Sequence, residues 1–276
     1  MAIAFAVAAA ILLGVSDFFA ARSARHTASL TVTRTAVFTS MVLAPLLLLV
    51  IDSAWSTRDT TLAAASGVFM IGGLMLLYQG YAVARMGIVA PLSSVLLAAV
   101  PVVWGLLNGA TPSGLAAVGM GLGGVALVLT SYTPSGQGSV VQGAVLGVAS
   151  GVAFGTAFTL MGQISEAAGV STVLVQRVVG MAMLTAVALM RPDPFLAPRG
   201  PALRYGVAAG VPAVVAIASL QLAYQKGDLG EVSVASSQFA TVAVLLSVMF
   251  NRERMRWWQA IGVGVTAVSV ALIATG

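Results

Sequence analysis

The 276-residue chain has no cysteine and a single histidine, His26. The first absence excludes disulfides, thiolate metal sites and cysteine nucleophiles. The second excludes any metal site built on two histidines. Charge is scarce as well: Asp, Glu, Lys and Arg make up 8% of the residues, against roughly 25% in an ordinary soluble domain. No aspartate-rich motif occurs, and no glycine-rich loop follows a strand. Metal-dependent chemistry on lipids and nucleotide-driven pumping therefore both lack their residues. No metal or cofactor is expected, and the chain reads as a non-enzyme.

Apolar residues fill the space, at 59% of the chain and a mean hydropathy of +1.02. A helix needs about 20 mostly apolar residues to cross a bilayer. Ten such segments occur, at 3–20, 29–51, 62–84, 88–108, 113–131, 142–163, 171–190, 203–224, 231–250 and 257–274. Turn residues mark several gaps, including 108–112, 133–136 and 191–194. Barrel strands would be about half as long and would alternate in polarity. The expectation is an all-α integral membrane protein with ten transmembrane helices. The first span has no basic segment before it and reads as a helix of the mature chain rather than a signal peptide.

The net charge of +5 does not point to nucleic acid, because the arginines lie between apolar runs. Arg22, Arg25, Arg85, Arg191, Arg199, Arg204, Arg252, Arg254 and Arg256 fall in the odd-numbered loops. Only Arg58 and Lys226 fall in the even-numbered ones. That bias places the odd loops in the cytoplasm, both termini outside, and the protein in the plasma (inner) membrane.

The chain also repeats itself. At an offset of 143 residues, Arg34 falls on Arg177, Tyr81 on Tyr224, Ser93-Ser94 on Ser236-Ser237, Asn108 on Asn251 and Gly119 on Gly262. Residues 1–136 and 137–276 thus read as two five-helix repeats. Five is odd, so the second repeat is expected upside down relative to the first, around a central cavity. Inverted repeats about a midplane site are a mark of secondary transporters.

Several stretches resemble the ten-helix EamA-type branch of the drug/metabolite transporter superfamily. Leu13-Gly14-Val15-Ser16-Asp17-Phe18 is similar to the family's first-helix pattern. Arg34 and Arg177 each open the second helix of a repeat, and Glu253, Gln259 and Gly262 follow the family's repeat tail. The first half departs from that tail at Ala110. Pro101 fits the family's fourth-helix proline, but its repeat partner is Val244. The resemblance spans nearly the whole chain and implies secondary transport of small metabolites such as amino acids, often outward. It also implies both termini in the cytoplasm, opposite to the arginine count.

Candidate site residues follow from polarity inside the spans. Asp17 is a carboxylate well inside the first span, where insertion costs roughly 2.5–3.5 kcal/mol. It reads as a carrier of protons or substrate cations, or as a structural partner of Arg22 or Arg34. Arg34 and Arg177 read as snorkelling side chains, or as a gate or carboxylate-binding pair. Tyr78, Gln79 and Tyr81 in the third span, and Gln221, Tyr224 and Gln225 in the eighth, form polar ladders that line a cavity or bond helix to helix. Ser93, Ser94, Ser237 and Gln238 in the fourth and ninth spans contact substrate or bond back to their own helices. Pro91 and Pro101 are expected to break or kink the fourth span. Trp104, Phe154 and Phe158 are candidate cavity aromatics. Gly143, Gly147, Gly151 and Gly155 give the sixth span a smooth face for close helix packing.

The function these features support is secondary active transport of a small polar metabolite by alternating access, with export and proton coupling as its form. The expected partners are the small-molecule substrate, protons and membrane lipid, in a monomer or homodimer. A lipid flippase is the alternative reading. A lipid-modifying enzyme would need a second acid inside the spans, and a receptor would have extramembrane segments.

Overall fold

The computed structural model describes residues 1–83, 86–132, 139–190, 193–251 and 256–276; the side chains of 81–83, 86–88, 247 and 251 are outside the description. The elements are α1 (Ala2–Ala24), α2 (Ser29–Leu47), α3 (Thr57–Val83), α4 (Met86–Leu107), α5 (Gly114–Ser131), α6 (Val140–Gly162), α7 (Ser171–Ala188), α8 (Pro201–Lys226), α9 (Leu229–Ser237), α10 (Phe239–Asn251) and α11 (Trp257–Thr275). Among the described residues ten spans are long and apolar enough to cross a membrane, with α9 and α10 together forming the ninth. In lipid, backbone N–H and C=O groups have no water to turn to, so each apolar run closes its own hydrogen bonds as a helix. Side-chain caps mark some starts: Ser113 accepts from the Ala116 N–H at 3.1 Å and Ser139 from the Gln142 N–H at 3.3 Å. Gly200, at φ 118°, turns the chain directly into Pro201 at the head of α8.

Small residues set how closely the helices approach. A Cβ added at Gly151 of α6 would stand 2.7 Å from the Ser93 carbonyl oxygen of α4, and one at Gly147 would stand 3.0 Å from that of Val89. The glycine stripe of the sixth span therefore packs on α4. Alanines 2, 6, 9 and 10 and Gly14 form the buried side of α1, which packs along α8 and α10.

The contacts are reciprocal between the halves. Gly67 of α3 lies against Gln176 and Val179 of α7. Gly210, 143 residues further on, lies against Ala36 and Thr39 of α2. Gly119 of α5 lies against Ile273 of α11, and Gly262 of α11 against Thr130 of α5. Likewise α1 packs on α8 as α6 packs on α3.

An expected break of the fourth span at its prolines is corrected. Helix α4 runs unbroken through Pro91 and Pro101. The interruption falls in the ninth span instead, at Gln238, where no proline stands. Ser236 and Ser237 donate to the carbonyls of Ser233 and Val234, three residues back, and the Gln238 Nε2 donates to Val234 at 3.2 Å. Three consecutive side chains thus compete with the backbone for its own acceptors, and the chain takes a tighter turn before resuming as α10. Thr241 N–H accordingly bonds Gln238 O, only three residues back.

Candidate functional site

A cavity of about 670 Å³ lies among the helices. Its deep end is lined by Leu13, Met70, Leu97, Phe158 and Ile217, and its mouth by Ala24, Ser29, Ser131, Val248 and Gln259. The mouth residues sit at the helix ends that flank the loops 25–28, 132–139 and 252–256. The cavity therefore opens toward the arginine-rich face.

Asp17 lines this cavity with its side chain exposed to it. Among the described residues its carboxylate makes no ion pair or hydrogen bond with protein. In particular, Arg34 is not its partner: that guanidinium is 1% exposed and donates through one nitrogen to Thr31 Oγ1 at 3.0 Å and to Pro194 O at 2.9 Å. It also lies 5.8 Å from the Phe195 ring centre. Arg177 lies outside the cavity lining, with its Nε buried. Arg22 stands 4.7 Å from the ring centre of Phe18.

Tyr78, Ser93, Ser94, Phe154 and Phe158 line the cavity with Asp17. The Tyr78 hydroxyl lies 3.4 Å from Thr33 Oγ1. Ser150 donates its hydroxyl proton to Gly73 O at 2.8 Å, so the 3.1 Å contact between Ser93 and Ser150 has Ser93 as donor. This chain ties α4, α6 and α3 together beneath the cavity. Thr130, Ser131, Phe239 and Gln259 also line it. Of these four, Gln259 belongs to the repeat tail that carries the family resemblance, while Thr130, Ser131 and Phe239 stand in no motif. Their signal was weak, since hydroxyls and a phenylalanine near helix ends are common in any span.

Other predicted residues lie elsewhere. Gln79 and Trp104 are exposed and outside the lining. The side chain of Tyr81 lies outside the described residues, as do Arg85, Arg191, Arg252, Glu253 and Arg254. Gln221, Tyr224 and Gln225 form part of the closed side. Gln221 donates to Met161 O at 3.3 Å. Tyr224 donates to Ser233 Oγ at 2.9 Å, because Ser233 gives its own proton to Leu229 O. Gln225 donates to Ser165 O and Gly169 O, each at 3.0 Å. Ser237 bonds back to Val234. Gln238 accepts from Thr266 at 3.0 Å and lies against Gly123, which ties the broken ninth span to α11 and α5.

Away from the mouth the structure is sealed in two layers. The inner layer is apolar: Phe158 meets Tyr224 edge-on at 6.1 Å, packed with Leu97, Met161, Leu220 and Val232. The outer layer is polar and joins the two halves. Asp59, at the start of α3, accepts from the Ser165 N–H at 2.9 Å, the Ser165 hydroxyl at 2.6 Å and the Ser56 hydroxyl at 2.7 Å. Ala54 N–H donates to Ala167 O and Val170 N–H to Ser53 Oγ, while within the second half Lys226 pairs with Glu166 at 3.1 Å. Gly169, at φ 51°, lets the loop before α7 lie directly on Asp52 and Ser53.

Residues 141–275 match the EamA-like transporter family. A solved crystal structure shares the fold with a TM-score of 0.79 over 99% of this chain and 98% of that one, at 16% identity. No protein of curated function matches the chain. Among the described residues the chain is thus an all-helical membrane protein with ten candidate spans, and its residues 141–275 match the EamA-like transporter family.

Proposed function

We propose that this protein is a secondary active transporter that carries a small metabolite by alternating access, in the cytoplasmic membrane. The observation that carries the reading is the asymmetry of the cavity. It runs from mid-helix to the arginine-rich face and is closed from the other face by the Phe158–Tyr224 layer and the Asp59–Ser165 clamp. A pore would be open at both ends, and an enzyme would need a second reactive group beside Asp17.

The two halves, 1–136 and 137–276, act as inverted repeats. The reciprocal contacts of Gly67 with α7 and of Gly210 with α2 support this, because two halves that pack alike can exchange conformations. The exchange would close the arginine-rich mouth and open the opposite face. With that mouth in the cytoplasm, as the arginine bias has it, the substrate loads from inside and export is the working direction. Asp17 is the coupling group: a carboxyl facing a cavity takes up a proton from whichever side has access to it.

The test is flux in proteoliposomes under an imposed pH gradient, with a panel of amino acids and organic amines, for the wild type beside Asp17→Asn. Gradient-driven movement of a solute that the variant loses supports a proton-coupled carrier. Driven movement that is unchanged in the variant removes Asp17 from coupling. Equal movement with and without exchangeable solute on the far side overturns the carrier.

A further inference from the structure

We propose that the cavity selects a monovalent organic cation with an apolar body, an amine or quaternary ammonium, with Asp17 as its counter-ion. The inference rests on the carrier reading above and names the substrate class of the same site.

The sequence alone suits a zwitterion, with Arg34 and Arg177 as candidates to hold its carboxylate, or equally an uncharged polar metabolite. The structure assigns those arginines elsewhere. Arg34 is buried against Thr31, Pro194 and Phe195, and Arg177 is outside the lining. Among the described residues the ionisable lining is acidic: Asp17, beside the phenol of Tyr78. A carboxylate in a low-dielectric cavity is costly until it is paired. A cationic ligand supplies that pairing, and an anionic or zwitterionic one brings a second negative charge to the same wall.

The neutral walls agree with this. Tyr78, Phe154, Phe158 and Phe239 line the cavity beside Phe18, whose ring already holds Arg22 at 4.7 Å, and an aromatic face that is presented to a cavity attracts cations. Two of the lining hydroxyls, those of Ser93 and Thr130, are arranged the same way. Ser93 gives its proton toward Ser150, and Thr130 gives its proton to Ala126 O at 2.8 Å. What each has left to offer is lone pairs, which accept from an ammonium N–H and repel a carboxylate. The volume of about 670 Å³ lies within the 300–1,000 Å³ or so usual for small-molecule sites, which leaves room for a body the size of an aromatic amine.

The experiment uses the full-length protein in lipid nanodiscs and in liposomes. Radiolabelled benzyltrimethylammonium is the probe, since its charge does not change with pH. Phenylalanine, 3-phenylpropionate and neutral neopentylbenzene compete as the zwitterionic, anionic and uncharged analogues of similar bulk. Saturable binding is expected, with competition by phenethylamine and at least tenfold weaker competition by the other three. Asp17→Asn should weaken binding by roughly tenfold or more, while the exposed-loop variant Asp52→Asn binds like the wild type. Asp17→Glu keeps the charge and should retain measurable binding. That result, with an unchanged melting temperature for Asp17→Asn, separates lost recognition from lost fold.

Phenylalanine or neopentylbenzene competing as well as phenethylamine overturns the charge selection. So does a folded wild type that does not bind the probe. Counterflow in the liposomes separates the two readings. If the probe binds through Asp17 but is not exchanged across the membrane, the carrier reading fails and the cation site stands. If phenylalanine exchanges and the probe neither binds nor exchanges, the carrier stands and the cation class fails.

Discussion

Ser165 gives both its backbone N–H and its hydroxyl to the two carboxylate oxygens of Asp59, at 2.9 and 2.6 Å, across 106 positions of sequence. Asp59 heads α3 in the first half, and Ser165 follows α6 in the second, so one carboxylate bolts the halves together on the face opposite the cavity mouth. Asp59 is buried with Ser56 completing its shell. Hydrogen bonds to a charged group contribute about 1.5–3 kcal/mol each. Asp59→Ala should therefore lower stability by about 2 kcal/mol or more and bias the protein away from the state seen here. A melting temperature and a transport rate both equal to wild type would remove the clamp from the account.

The helix contacts make a paired prediction about glycines. At Gly151 a methyl group would meet the Ser93 carbonyl oxygen and the Leu96 side chain at 2.7 Å, whereas at Gly264 it would meet nothing within 4 Å. Overpacking costs about 1–3 kcal/mol. Gly151→Ala should lose that much and force α6 away from α4, while Gly264→Ala should be neutral. Thermal melts of the two variants in one detergent check this, and similar melts would contradict the packing.

The break at Gln238 is held by side chains rather than by proline, so it should be removable. With Ser236→Ala and Ser237→Ala together, two competitors for the carbonyls of Ser233 and Val234 disappear. The ninth span should then become more regular, and exchange of substrate should slow by roughly tenfold if α10 moves against α9 in the cycle. Transport at the wild-type rate in a folded double variant would show that the break is not a working hinge.

Orientation is testable because the chain is naturally free of cysteine. Asp52→Cys lies on the sealed face and His26→Cys on the arginine-rich face. The arginine bias predicts that an impermeant maleimide added to intact cells labels Asp52→Cys and spares His26→Cys. The reverse pattern would turn the topology over.

Much of the fold was legible because lipid imposes one rule: a long apolar run must close its own hydrogen bonds. The ten spans follow from that rule, and the glycine stripe at Gly147, Gly151 and Gly155 marks a close-packing face without naming its partner, α4. The site was legible only in part. Asp17 stood out because an acid is rare in a span, and Tyr78, Ser93, Ser94, Phe154 and Phe158 meet it in the cavity. Gln221, Tyr224 and Gln225 carry the same polar pattern, yet they serve the sealed side, because periodicity gives the face of a helix and not the depth or neighbour. Asp59 and Ser165 carry no pattern that links them. Their clamp exists only once α3 and α6 lie side by side.

The central claim, a cavity that has access to one face at a time, is tested most directly by Ala243→Cys, a lining position on α10. Its modification by an impermeant thiol reagent would be followed from each side of oriented vesicles, at rest and during substrate exchange. The account predicts labelling from the arginine-rich face at rest, with access from the opposite face gained only when substrate is exchanging. Equal labelling from both faces at rest, or labelling from the sealed face first, would contradict it.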